Sequence, residues 1–254
     1  MANLLKRAYN ATWGKYVFAG CYDAFLSRVE RYGLAEKRAE MLAPAYGRTI
    51  ELGTGTGLNL PHYPDAVTEL VLTEPYPPMV AKLEEKVRNY PKRVQLTVAG
   101  AERLPFPDAS FDTVAAAMIL CTVPDPDVVL KEIERVLKPG GQYLFLEHVR
   151  NPDPKIARRQ DIVQLGWYWF GNECHCNRPT VDTLNKSSLE LVELKEDKMP
   201  GAWKFIEAMA IGRAVRRADS APTSAAPRTE LAVTGAKVST TTSGSNGSAA
   251  CDCG

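Results

Sequence analysis

Apolar positions along the middle of the chain alternate between short runs with a period of two and longer runs with a period near 3.6. This is the pattern of strands alternating with amphipathic helices. RTIEL (48–52) reads as a strand ending in a glycine-rich turn, ELVLTE (69–74) as a second strand, and PMVAKLEEKVRNY (78–90) as the helix after it. RVQLTVAG (93–100) is a third strand, and FDTVAAAMIL (111–120) a fourth, apolar enough for a central place in a sheet. In VPDPDVVLKEIERVLKPGG, Asp125 caps a helix, Pro126 suits its first turn, and Val129, Ile133, Val136 and Leu137 share one face. Pro139-Gly140-Gly141 is expected to end that helix. GQYLFLEHV (141–149) is the fifth strand, and SLELVELKED (188–197) with WKFIEAMAIGRAV (203–215) a closing strand pair. The rhythm predicts an α/β fold with a seven-stranded, mostly parallel sheet and helices on both faces. In such a sheet ligands lie beyond the carboxyl ends of the strands, so residues where strands stop are the ones to watch.

The ends of the chain differ from this middle. Residues 1–46 read as helical and carry Tyr9, Trp13, Tyr16, Phe18, Tyr22 and Phe25, a set suited to a lid. Residues 47–217 form the core, and residues 218–254 are rich in Ser, Thr, Ala and Gly. With so few large apolar side chains that tail cannot offset its ordering entropy, which predicts disorder. The balance of 31 basic against 30 acidic residues gives no field for nucleic acid. The start, MANLLKRAYN, lacks the apolar core of a signal peptide, and no stretch approaches the roughly 20 apolar residues of a membrane span, so a cytoplasmic protein is expected. The six cysteines then read as free thiols or ligands rather than a disulfide framework.

The first strand runs into Glu51-Leu52-Gly53-Thr54-Gly55-Thr56-Gly57, where alternate glycines let the backbone turn sharply and approach a ligand. The second strand ends in Glu74, a side chain able to accept hydrogen bonds from both hydroxyls of a ribose. A dinucleotide fingerprint would need a further glycine where Leu58 stands. A nucleoside ligand without phosphates is therefore favoured.

With those residues on the page a resemblance is plain. ELGTGTG resembles the first motif of the class I S-adenosylmethionine-dependent methyltransferases, TEP (73–75) their acidic second motif, AGAERLPFPDASFD (99–112) their third, and VLKPGG (136–141) the loop before strand five. The resemblance implies a Rossmann-like fold and S-adenosyl-L-methionine as cofactor. It implies that Glu51, Gly53, Thr54, Gly55, Gly57 and Asn59 border the methionine and ribose part, with Glu74 and Pro75 at the ribose hydroxyls. Ala101, Glu102 and Met118 would flank the adenine and the methyl end; many relatives carry Asp where Ala101 stands.

ILCTV (119–123), FLEHV (145–149), FGNECHCNRPTVDTL (170–184) and GRAVR (212–216) are further similar to thiol S-methyltransferases of the methyltransferase-like group. This implies a small-molecule methyl acceptor, a thiol or sulfide, with a quinol or phenol as the alternative and a non-catalytic cofactor-binding scaffold as a third reading. His148, just past the fifth strand, is the candidate base, with a packing role as the competing reading. Cys121 reads as a wall residue. Cys174-His175-Cys176 and Cys251-Asp252-Cys253 lack the usual C-x₂₋₄-C spacing of zinc sites, so no metal is assigned. LGWYWF (165–170), near Lys155, Arg158 and Arg159, is expected to be a buried aromatic cluster, with weak peripheral membrane contact as the alternative.

Overall fold

The computed structural model describes residues 18–218. The expected disordered tail, apart from its first residue, and the aromatic positions Tyr9, Trp13 and Tyr16 lie outside that range. Helices α1 (Phe18–Val29) and α2 (Ala35–Leu42) are joined through Glu30–Leu34, where Gly33 takes φ +120°. The sheet comprises β1 (Gly47–Leu52), β2 (Val67–Thr73), β3 (Val94–Thr97), β4 (Phe111–Ala117), β5 (Leu137–His148), β6 (Glu190–Lys198) and β7 (Ala208–Val215). Helices α3 (Pro77–Arg88), α4 (Pro126–Val136), α5 (Pro154–Phe170) and α6 (Thr180–Lys186) fill the connections. None of the described helices is long and apolar enough to cross a membrane.

The strand order is β3-β2-β1-β4-β5-β7-β6. The pairs from β3 to β5 are parallel, and β7 runs antiparallel to both β5 and β6. The seven-stranded, mostly parallel sheet read from the sequence is thus the sheet observed. Its order reverses at β1, which pairs with both β2 and β4, and the crevice beyond that point is where such a sheet takes its ligand.

Period-two alternation divides the strands between two apolar layers. Ile50, Leu52, Tyr143 and Phe145 face Val129, Ile133 and Val136 of α4. Leu144 and Leu146 face the other way, toward Met41 and Leu42 of α2 and Leu83 of α3. Burying a side chain of this size contributes roughly 1.5–3 kcal/mol, so each layer fixes the strand register strongly.

Several boundaries differ from the sequence expectation. The fourth strand stops at Ala117, because Met118 turns to φ +61°. Asp125 does cap α4, accepting from the N–H groups of Asp127 and Val128, but the helix ends at Val136 rather than at the Pro-Gly-Gly. Leu137 and Lys138 already lead into β5, since a residue before proline is driven out of the helical region. Pro139, Gly140 and Gly141 instead sit where the β4–β5 register slips between Phe111 and Thr113. In the closing pair, residues 203–207 stay outside β7, which begins at Ala208.

Candidate active site

A cavity of about 580 Å³ opens beyond the carboxyl ends of β1, β2, β4 and β5, within the ~300–1,000 Å³ usual for small-molecule sites. Its first wall is the turn after β1. Gly53 and Gly55 take φ +57° and +60°, a region costly for any side chain with a Cβ. A Cβ on Gly53 would lie 1.9 Å from Ile119 Cδ1, whereas one on Gly55 would meet only Tyr22, at 3.9 Å. Backbone conformation thus favours glycine at both positions, and at 53 the Ile119 side chain adds a steric reason.

Glu74 stands beside this turn, buried at the end of β2. Its Oε2 accepts the Gly55 N–H at 2.8 Å and its Oε1 the Tyr76 N–H at 2.9 Å. Burial raises its pKa above the usual carboxylate value, opposed by those two amides. Pro75, Ala101, Glu102 and Met118 line the same cavity. Tyr22 of α1 closes over it, its phenol pushed up to about 12 by burial. The helix is tied to the glycine turn by Thr56 Oγ1, which donates to Asp23 at 2.5 Å.

Four residues expected at the cofactor do not line the cavity. Glu51 and Asn59 face the opposite side of β1, where Glu51 accepts from Asn59 Nδ2 at 3.0 Å and from the Tyr63 hydroxyl at 2.6 Å. Arg38 completes this buried network by donating to Asn59 Oδ1 at 2.9 Å. Burial pushes Glu51 up to about 7 despite the two hydrogen bonds. Gly57 (φ +81°) is held between Leu83 and Leu60, so its glycine serves packing beneath the turn. Thr54 is buried, with its N–H given to the Thr73 carbonyl.

The far wall gathers three soft side chains from three separate segments. Cys121 follows β4, His148 ends β5, and Cys174 lies between α5 and α6. All three are buried, all three line the cavity, and their ligand atoms lie within 4.8 Å of one another. Cys174 Sγ is 3.7 Å from His148 Nδ1, while His148 Nε2 is buried with no hydrogen-bond partner. The hydrogen bond from Cys121 and the neighbouring imidazole hold the Cys174 thiol well below its usual range, and Cys121 is correspondingly raised. Burial works against a charged His148 ring, but the Cys174 sulfur outweighs it and raises the pKa. Cys176 and His175 turn away, both toward Gln164. Of LGWYWF, expected to be buried, only Trp167 is, packed against Phe170 and Phe205 as part of this wall, whereas Leu165 and Phe170 are themselves exposed, as is Ile162 of the same helix.

Two residues that organise this wall were not singled out from sequence. Glu147, fully buried, accepts the N–H groups of Ile119 and Leu120, each at 2.9 Å, and of Cys121 at 3.3 Å. Burial pushes it up to about 7 against those amides. Arg178 donates to the carbonyls of Leu120 and Val123. An acid next to the histidine inside an otherwise apolar strand, as in FLEHV, was the signal available for Glu147.

Comparison with known proteins decides the family. A methyltransferase-domain model matches residues 50–145. The thiol S-methyltransferase TMT1B of Rattus norvegicus is 31% identical over 171 residues, covering 66% of this chain and 70% of the relative. The chain belongs to the class I S-adenosylmethionine-dependent methyltransferases. The ubiquinone/menaquinone C-methyltransferase UbiE of Hahella chejuensis is 42% identical over 77 residues, 30% of this chain and 31% of that one. A geranyl diphosphate methyltransferase solved in complex with S-adenosylmethionine shares the fold, with TM-score 0.58 and 16% identity over 73% of this chain and 85% of that one.

The cavity of this methyltransferase fits its cofactor. The turn at Gly53 and Gly55 carries no Cβ into the cavity, and no further phosphate-binding glycine follows it. The one carboxylate at the end of β2 is already oriented by two amides, which leaves lone pairs for a ribose. The chain is therefore an enzyme that uses S-adenosylmethionine to methylate a small molecule.

Proposed function

We propose that this methyltransferase acts on the sulfur of a small thiol or sulfide. The observation that carries the reading is the meeting of Cys121, His148 and Cys174 on the wall facing the glycine turn and Glu74. In this reading Glu74 holds the ribose hydroxyls, Gly53, Gly55 and Pro75 border the sugar and methionine, and Ala101, Glu102 and Met118 enclose the remainder. Glu51, Thr54, Gly57 and Asn59 serve from beneath by fixing the shape of the turn. Bound there, the cofactor supplies a methyl group already activated by its sulfonium. The protein's own work is alignment and exclusion of water. Tyr22 and α1 act as the lid, and an aromatic face beside a sulfonium is stabilising in the way it is beside an ammonium. The acceptor sulfur rests against the wall of Cys121, His148 and Cys174, and His148 is the residue that acts on its proton.

The likeness to thiol S-methyltransferases supports this acceptor across two thirds of the chain. A second reading, methylation of a quinol or phenol, is favoured by the higher identity to UbiE, but that match spans only 30% of this chain. A turnover screen with labelled cofactor over thiols, sulfide, phenols and quinols separates the two. Labelled thioether from thiols, or labelled methanethiol from sulfide, is the expected outcome. Product from phenols or quinols alone would establish the second reading. Cofactor binding with no product from any acceptor would leave the scaffold reading.

A further inference from the structure

The three residues of the acceptor wall form a donor set in their own right. Two thiols and an imidazole, drawn from the ends of β4 and β5 and from the α5–α6 connection, lie buried within 4.8 Å of one another. In a tetrahedral zinc site with Zn–S about 2.3 Å and Zn–N about 2.0 Å, ligand atoms are spaced by about 3.5–3.8 Å. The Cys174 Sγ to His148 Nδ1 distance of 3.7 Å already has that spacing. The other ring nitrogen of His148, Nε2, makes no hydrogen bond to the described residues. Both neighbouring backbones are fixed: Glu147 holds the Cys121 N–H, and Thr180 Oγ1 donates to the His148 carbonyl.

We propose that Cys121, Cys174 and His148 bind a zinc ion with three protein ligands and leave a fourth position, facing the cavity, for the sulfur of the acceptor. The proposal rests on the thiol reading of the function and deepens it. Two cysteines and a histidine with one open position is a recognised catalytic zinc arrangement, and soft sulfur donors favour this metal. All three ligands line the cavity, so the open position looks into it rather than into the core. An acceptor entering there displaces a water molecule. Its S–H bond breaks as its sulfur joins the metal, and the proton passes to solvent. The sulfur keeps both electrons and uses them to form the bond to the incoming methyl carbon, whose bond to the donor sulfonium breaks. From a thiol the product is a neutral thioether, a weak ligand that leaves. In this arrangement His148 serves as a ligand of the metal, and the charge of the metal rather than the imidazole draws off the acceptor's proton. The sequence hid this site because its ligands are far apart in the chain, while the Cys-x-Cys pair sends its second member to Gln164.

The test uses the full chain, stripped of metal and titrated with Co²⁺ as a spectroscopic stand-in for zinc. One equivalent is expected to give a thiolate-to-cobalt charge-transfer band and intense tetrahedral visible bands, both lost in Cys121→Ser and Cys174→Ser and weakened in His148→Ala. The pair Cys251→Ser/Cys253→Ser should keep them, which excludes the tail. Adding a small thiol without cofactor should shift the visible bands, and zinc should displace the cobalt. No bands in folded wild-type protein, or bands that survive Cys174→Ser, would overturn the site. Full-rate thiol methylation by metal-free protein would overturn the metal while leaving the thiol reading intact. Cobalt bands unmoved by every thiol would overturn the open position, and the turnover screen would then judge the acceptor separately.

Discussion

The Gly55 amide points its hydrogen at Glu74 Oε2 across 2.8 Å, so the turn after β1 and the acid after β2 form one unit. The same carboxylate takes the Tyr76 N–H, which fixes the chain as it enters α3. Glu74→Ala therefore removes the proposed ribose acceptor and leaves two amides unpaired. S-adenosylmethionine affinity should fall by about 1.5–3 kcal/mol, the range for charge-assisted hydrogen bonds, with NAD unbound by either protein. Calorimetry reads both numbers. Unchanged affinity in the variant would remove Glu74 from the cofactor site.

Gly53 gives a steric counterpart. An added methyl would lie 1.9 Å from Ile119 Cδ1 at a backbone φ of +57°. Gly53→Ala should weaken cofactor binding by at least tenfold, through both the clash and roughly 1–2 kcal/mol of conformational cost. The double variant Gly53→Ala/Ile119→Ala should recover part of the loss, since only the steric half is relieved. Recovery to the full wild-type affinity would show that backbone strain contributes nothing.

Glu147 prompts a prediction about the loop after β4. Its carboxylate collects three backbone N–H groups, and a carboxamide has only one oxygen to offer them. Glu147→Gln should cost about 1–3 kcal/mol of stability and speed hydrogen exchange at Ile119, Leu120 and Cys121. Exchange at those three amides unchanged from wild type would mean that the carboxylate does not hold the loop.

The strands and their order of appearance were legible because β1, β2, β4 and β5 are short apolar runs bounded by turn residues. That Glu74 would lie at the cavity was legible because the ends of parallel strands converge on the ligand crevice. The ends of elements were less so: nothing in residues 111–120 announces the left-handed Met118 that halts β4. Glu51 shows why motif position alone does not fix where a side chain lies. Alternation along β1 sends Ile50 and Leu52 to one layer and Glu51 to the other, so its neighbours are Asn59, Tyr63 and Arg38 rather than the cavity. The meeting of Cys121, His148 and Cys174 depends on tertiary closure between three segments, which no local spacing encodes.

Glu51 also ties stability to pH. Its pKa is about 7 in the folded chain, against 4.5 for the free side chain, because burial outweighs the hydrogen bonds from Tyr63 and Asn59. Between those values the native state holds a proton that the unfolded state has released. The stabilisation this gives is complete below pH 4.5 and is lost as pH rises through about 7. Glutamine imitates the protonated acid: its carbonyl can accept from Asn59, and its NH₂ can donate to the Tyr63 oxygen. Glu51→Gln should match wild type near pH 4.5 and exceed it by about 2–3 kcal/mol at pH 8, each pKa unit being worth about 1.4 kcal/mol. Urea unfolding of both proteins across that range gives the difference directly, and other titrating groups cancel in the comparison. Parallel stability curves would mean that Glu51 ionises at its ordinary value and that Arg38, Asn59 and Tyr63 stabilise the charge fully.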